Sequence, residues 1–160
     1  MIIKYRKYNM MEITELKKIL NTKSRLIGVD MGTKKVGISI SDENRKIATA
    51  LKTVDYTDIG HLINEIDIIV KENNIKAIIF GNPINMDGTE GTSSQSVKDK
   101  IKLIGKKINL PMILWDERLS TIGAFNLSSQ LDINVSKRVK NIDKNAAAFI
   151  LQGVLDYLDN

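Results

Sequence analysis

Leu26-Ile27-Gly28-Val29-Asp30-Met31-Gly32-Thr33-Lys34-Lys35-Val36-Gly37-Ile38-Ser39-Ile40-Ser41 is the stretch that decides the fold. Its first five residues read as a buried strand ending on an aspartate. From Val36 to Ser41 apolar residues alternate with small polar ones, the period of a half-covered strand. Asp42-Glu43-Asn44-Arg45 is a turn, and Lys46 to Thr53 reads as a third strand. Three strands this close in sequence predict an antiparallel meander.

Beyond the meander the period changes. Ile59, Leu62, Ile63, Ile66, Ile69 and Val70 follow helical spacing, and Asn73-Asn74 ends that run with residues that tolerate a left-handed backbone. Ala77-Ile78-Ile79-Phe80 is a short continuous apolar run, as in a central parallel strand. A polar loop, Gly81 to Ser94, leads to a helix marked by Val97, Ile101, Ile104 and Ile108. Pro111 precedes the strand Met112-Ile113-Leu114-Trp115. Ser120 is placed to cap a helix reaching about Leu131. A basic loop then leads to a last helix, with Ala147, Ile150, Leu151, Val154, Leu155 and Leu158 on its inner face. A meander followed by βα units predicts one mixed α/β sheet of five strands, three antiparallel and two added in parallel, with helices on its faces.

Composition narrows the chemistry. The chain has 160 residues, 42% hydrophobic and 27% charged, enough for one core and one domain. It holds no cysteine and one histidine, His61, which excludes a disulfide framework, a thiolate site and a typical zinc site. No apolar run approaches the roughly 18–20 residues that cross a bilayer; the expected compartment is the cytoplasm, with no membrane partner. The net charge of +5 resides in the leading segment: residues 1–25 carry seven basic and two acidic side chains, and the remainder balances. Residues 1–24 read as a basic extension, flexible or a short helix over Glu12 to Leu20, and residues 25–160 as the domain. Lysines crowd at Lys98, Lys100, Lys102, Lys106 and Lys107, and again at Lys137, Arg138, Lys140 and Lys144. Solvated helix faces account for such clusters as well as a nucleic-acid surface does.

In open α/β sheets ligands sit at the carboxyl ends of the parallel strands. Three strands should open there, ending in Asp30, in Gly81 to Gly88, and in Asp116-Glu117-Arg118. Asp143 shares the inward face of the last helix with Ala147, Ile150 and Leu151. Carboxylates gathered in one place repel one another, and a divalent cation resolves the conflict. Oxygen ligands suit Mg²⁺ or Mn²⁺, as one ion or as two about 3.5–4 Å apart. Lys34, Lys35, Arg118 and the cluster Lys137, Arg138, Lys140 are placed to hold backbone phosphates. Simpler roles compete. Asp30 can cap the turn before the second strand, Asp143 can cap its helix, and the loop bearing Asn85, Asp87 and Thr89 can be a plain turn as readily as a substrate contact. Asp116 and Glu117 are adjacent, so a strand points them to opposite faces and at most one of the two reaches the metals unless the strand has ended.

The run from Leu26 to Gly37 resembles the first motif of the YqgF/RuvX family, the Holliday-junction-resolvase-like proteins. Gly81-Asn82-Pro83-Ile84-Asn85-Met86-Asp87-Gly88-Thr89-Glu90-Gly91 resembles its second, Trp115-Asp116-Glu117-Arg118-Leu119-Ser120-Thr121 its third, and Ile142-Asp143-Lys144-Asn145-Ala146-Ala147 its last. Met31, Lys35 and Asn82 depart from the usual Pro, Arg and Leu, and no departure removes a carboxylate. The resemblance implies an RNase H-like fold and a metal-dependent, phosphodiester-cleaving nuclease. Asp30, Glu117 and Asp143 would be its catalytic and metal-binding carboxylates, with Asp116 left open as a fourth ligand. Asp30 would bridge the metals, and water would attack in line without a covalent enzyme intermediate. Processing of precursor 16S rRNA is the leading expectation, and branched-DNA (Holliday-junction) resolution the alternative. A non-catalytic ribosome-assembly or RNA-binding factor is a reading of another class. An actin/Hsp70-like nucleotide-binding domain ranks last, because no second Asp-x-Gly phosphate motif follows a later strand. The partners expected are structured RNA or branched DNA, with the protein a monomer or a homodimer.

Overall fold

The structure, a computed structural model, describes residues 10–116, 118 and 135–159, and of residues 135–145 the backbone alone. The elements run α1 (Ile13–Ile19), β1 (Arg25–Met31), β2 (Lys35–Ser41), β3 (Ala48–Asp55), α2 (Ile59–Glu72), β4 (Ile75–Asn82), α3 (Thr92–Gly105), β5 (Met112–Asp116) and α4 (Val135–Asp159). The sheet order is β3-β2-β1-β4-β5, so β1 is central. The first three strands pair antiparallel, and β1, β4 and β5 are parallel.

The expected third strand is displaced by two residues, from 46–53 to 48–55. Asp42 explains the shift. Its carboxylate accepts the backbone N–H groups of Asn44, Lys46 and Ile47. Those donors are held in the turn, so the β2–β3 ladder starts at Ser41 opposite Ala48 and runs out to Lys35 opposite Asp55. At α2, Asp58 accepts the His61 N–H at 2.9 Å as N-cap, and Asn74 closes the end with φ +52°.

Two helical layers cover the sheet. Leu62, Ile66 and Ile69 of α2 and Val97, Ile101 and Ile104 of α3 pack on one face, over Ile27, Val29, Ile38, Ile78 and Phe80. Leu16 of α1 and Ile150, Leu151, Val154 and Leu155 of α4 pack on the other, over Leu26, Ala77, Ile79 and Ile113. From Met11 on, the apolar side chains ahead of β1 belong to this second layer. The Met11 N–H donates to the Met112 carbonyl at 2.9 Å, and Leu16 is fully buried. The boundary at Arg25 therefore separates a helix from a strand, both of them part of one core.

The basic residues Lys137, Arg138 and Lys140 do not lie in a loop as the sequence suggested, because α4 already begins at Val135. Between Val135 and Gln152 there is no glycine or proline to stop a helix. Asp143 stands eight residues inside α4, which removes the helix-cap reading for it. The helix expected over about 120–131 lies outside the described residues.

Candidate active site

Alternation along β1 determines which way Asp30 faces. Ile27 and Val29 pack under α2 and α3, so Leu26, Gly28 and Asp30 belong to the α4 face. Asp30 pairs with Gly37 of β2 and is half-buried. On this face β1 and β2 carry Gly28, Gly37 and Ser39 where the other face carries branched aliphatics. A Cβ built on Gly28 would stand 2.5 Å from Ser39 Oγ, 2.8 Å from the Ala147 carbonyl oxygen and 2.8 Å from Leu151 Cβ. A Cβ on Gly37 would stand 3.4 Å from Ala147 Cβ and 3.9 Å from Asp30 Cβ. The α4 backbone thus lies almost directly on the strands. The Ser39 hydroxyl fastens it by donating to the Ala147 carbonyl at 2.7 Å.

From Ala147 onward α4 leads away from Asp30. Leu151 lies over Gly28, the Gln152 amide bridges the Ala48 N–H and the Lys46 carbonyl, and Asp159 pairs with Lys46. The part of α4 ahead of Ala147 therefore lies toward the Asp30 end of β1. Asp143 belongs to that part, one turn before Ala147.

At the end of β5 the two oxygens of Asp116 are taken by Arg118. The Arg118 N–H and Nε–H donate to Oδ1, each at 3.0 Å, while Nη2–H donates to Oδ2 at 2.7 Å. The guanidinium holds the Asp116 carboxyl below its ordinary range. The loop after β4 is an ordered turn. The Asn85 N–H donates to the Thr89 carbonyl, the Thr89 N–H and hydroxyl both donate to Asp87 Oδ1, and Gly88 takes φ +88°. Its root is a polar chain that sequence reading missed: Asn82 Oδ1 accepts from the buried Ser94 hydroxyl at 2.6 Å, Asn82 Nδ2–H donates to Glu90, and Glu90 pairs with Lys98. Asn82, noted as a departure from the family pattern, was the available signal. Asn85 Nδ2–H donates to Thr89 Oγ1, so Asn85, Asp87 and Thr89 all hold the turn by their side chains.

Lys34 is exposed on the β1–β2 turn and Lys35 at the start of β2. Glu117 lies outside the described residues, as do the side chains of Asp143, Lys137, Arg138 and Lys140. Among the described residues no group of three or more acidic or histidine side chains is gathered as for a metal ion. A divalent cation, which the family resemblance implies, suits the donor type at the end of β1: the Asp30 carboxylate is a hard oxygen ligand, and the one histidine of the chain, His61, is an exposed residue of α2, the helix on the opposite face. No helix among the described residues is long and apolar enough to cross a membrane.

The fold is similar to that of solved structures. The chain is similar to the structure titled T. thermophilus RuvC in complex with Holliday junction substrate, with TM-score 0.53 and 11% identity, covering 84% of this chain and 96% of that one. It is also similar to the yeast mitochondrial Holliday junction resolvase Ydc2, with TM-score 0.52 and 12% identity over 92% and 84%. At such identities the likeness establishes architecture, and the architecture is RNase H-like. Sequence comparison reaches further. A family described as RuvX, Holliday junction resolvase, matches residues 24–157. A protein of Pelagibacter ubique (strain HTCC1062) named "Putative pre-16S rRNA nuclease" is 59% identical over 151 residues, 94% of this chain and all of that one. A protein of the same name from Rhizobium meliloti (strain 1021) is 38% identical over 149 residues, 93% and 90% of the two chains. The chain belongs to the RuvX family.

Proposed function

We propose that this protein is a metal-dependent endonuclease that processes precursor 16S rRNA, with Asp30, Glu117 and Asp143 as its carboxylates. The observation that carries the reading is Asp30 on the central strand, facing a helix whose close approach is built into Gly28, Gly37 and Ser39. Two regularities support the other members. Glu117 follows Asp116 in the sequence, and β5 ends there beside β4, at the carboxyl edge of the parallel strands. Asp143 lies at i−4 from Ala147, whose methyl group approaches Gly37 beside Asp30.

A bound Mg²⁺ or Mn²⁺, singly or as a pair, would supply Lewis-acid activation of water and stabilisation of the leaving oxygen. The chain's own residues do the remainder. Asp30, Glu117 and Asp143 would hold the cation by oxygen, and Lys34, Lys35 and the group Lys137, Arg138 and Lys140 would neutralise backbone phosphates. The expected setting is the cytoplasm. The names of the relatives favour rRNA. The family description favours branched DNA, for which a two-fold-symmetric homodimer would match a symmetric junction.

The test is cleavage of precursor 16S rRNA and of a four-way DNA junction by purified protein in Mg²⁺ or Mn²⁺, beside Asp30→Asn. Metal-dependent cutting of RNA by the natural chain alone is expected. Preferential cutting of the junction would move the assignment to DNA. Equal activity in both proteins would discard the carboxylate site, and metal-independent RNA binding without turnover would make the protein an assembly factor.

A further inference from the structure

Asp116 and Arg118 flank Glu117, and their contacts form two closures around it. The shorter is the Arg118 backbone N–H to Asp116 Oδ1 at 3.0 Å, a side-chain-to-backbone turn spanning the residue between them. The longer is the guanidinium to both carboxylate oxygens, Nε–H to Oδ1 at 3.0 Å and to Oδ2 at 3.1 Å, and Nη2–H to Oδ2 at 2.7 Å. The first closure turns the chain at the last residue of β5. The second holds the Asp116 rotamer that the first requires. Side-chain exposures of 23% for Asp116 and 32% for Arg118 leave the pair partly desolvated, so a two-pronged ion pair keeps more of its strength than on an open surface.

Charge also weighs against the two roles that residue type suggests. Asp116 already compensates Arg118, and the Asp87 carboxylate acts on the same guanidinium from the β4–α3 loop. Arg118 Nη1 lies 3.8 Å from where a Cβ on Gly88 would stand, against that loop. One cation facing two carboxylates is a poor phosphate receptor, and a carboxylate with both oxygens on a guanidinium is a poor metal ligand.

We infer that Asp116 and Arg118 are a clasp that positions Glu117, acting on catalysis through that neighbour and touching neither metal nor substrate. The inference rests on Glu117 being one of the proposed carboxylates. It predicts that D116N and R118Q each lower kcat on precursor 16S rRNA about 10–100-fold, as loss of groups that orient metal-binding carboxylates does. The Mg²⁺ concentration for half-maximal activity should rise in both. KM, metal-free RNA affinity and the salt dependence of that affinity should stay at the values of the natural chain. The D116N/R118Q double variant should be no worse than either single one. R118K keeps the charge but loses the two-pronged geometry, so it should resemble R118Q.

Other outcomes would overturn it. A raised KM in R118Q with a salt slope shallower by about one phosphate, restored in R118K, would make Arg118 a substrate contact. Loss of activity in D116N as deep as in Asp30→Asn would make Asp116 a ligand. Natural activity in D116N and R118Q beside an inactive E117Q would remove the clasp alone, whereas natural activity in E117Q would remove the active-site assignment beneath it. Thermal unfolding and metal-free RNA binding establish that each variant is folded, and R118K serves should R118Q fail to fold.

Discussion

Ile27, Val29, Val36 and Ile38 occupy one side of β1 and β2; Gly28, Asp30, Gly37 and Ser39 occupy the other. They are alternate residues of the same two strands, yet the two faces are built on different physics. The α2/α3 face is filled by branched side chains at full burial, with Phe80 beside them. Its contribution is apolar area removed from water. The α4 face gives up that volume. Hydrogen atoms and a hydroxyl stand where side chains would be, so a helix backbone comes within reach of a serine and one turn of it passes beside a carboxylate. On the α2/α3 face β1 and β2 serve the core alone; on the α4 face, beside a second apolar layer, they leave room around Asp30 for the site proposed above.

The largest effect that tests this division is Asp30→Asn. Nuclease activity should fall by at least about a thousandfold in protein that a thermal unfolding curve shows to be folded. A fall in stability to match the fall in activity would erase the distinction between the faces. On the opposite side Ile38→Ala removes a side chain that is 1% exposed. It should cost about 2–5 kcal/mol of stability, read from a denaturant midpoint, while the specific activity of the folded fraction stays close to natural.

Gly28→Ala is smaller in chemistry and more telling. The added methyl group would meet Ser39 Oγ at 2.5 Å and the Ala147 carbonyl at 2.8 Å, and only the first can turn aside. A shift of α4 should cost about 1–3 kcal/mol and should lower activity in protein that is still folded, because Asp143 rides on the same helix. Gly28→Ala with natural activity per folded molecule would mean that the closeness of α4 is packing and nothing more.

These differences also explain what the sequence disclosed. Periodicity sufficed for all five strands, because a central strand such as Ala77 to Phe80 is apolar throughout and β2 alternates plainly. It failed where a side chain captures backbone donors, as Asp42 does at the start of β3, and where polar residues continue a helix, as at Val135 to Lys140. The place of Asp30 near the carboxyl end of β1 was legible, because the apolar run stops there. The clasp on Asp116 was not, since spacing shows that two carboxylates are adjacent but not which of them a guanidinium will occupy. The small residues of β2 were visible as a half-covered strand, but what covers them lies 108 residues away at Ala147, beyond the reach of any local pattern.

The smallest expected effect is acid sensitivity, and it should come from neither face. Asp42 at the β2–β3 turn and Asp58 at the head of α2 are held below their ordinary value of 3.8, chiefly by the backbone N–H groups of Ile47 and of His61. Thr89 does the same for Asp87. A carboxylate whose folded value is depressed adds stability that is complete above the unfolded value and is lost as pH falls through the folded one. The denaturant midpoint should therefore stay level from neutral pH to about 5 and decline below about 4. Asp58 and Asp87 are exposed and Asp42 is half-buried at its turn, so the decline should be shallow, and Asp42→Asn, which keeps an acceptor oxygen without the charge, should flatten part of it. A midpoint that drops between pH 7 and 5 would point instead to a titrating group within the packed layers, and would blur the line between a core that holds the sheet and a surface that carries its charge.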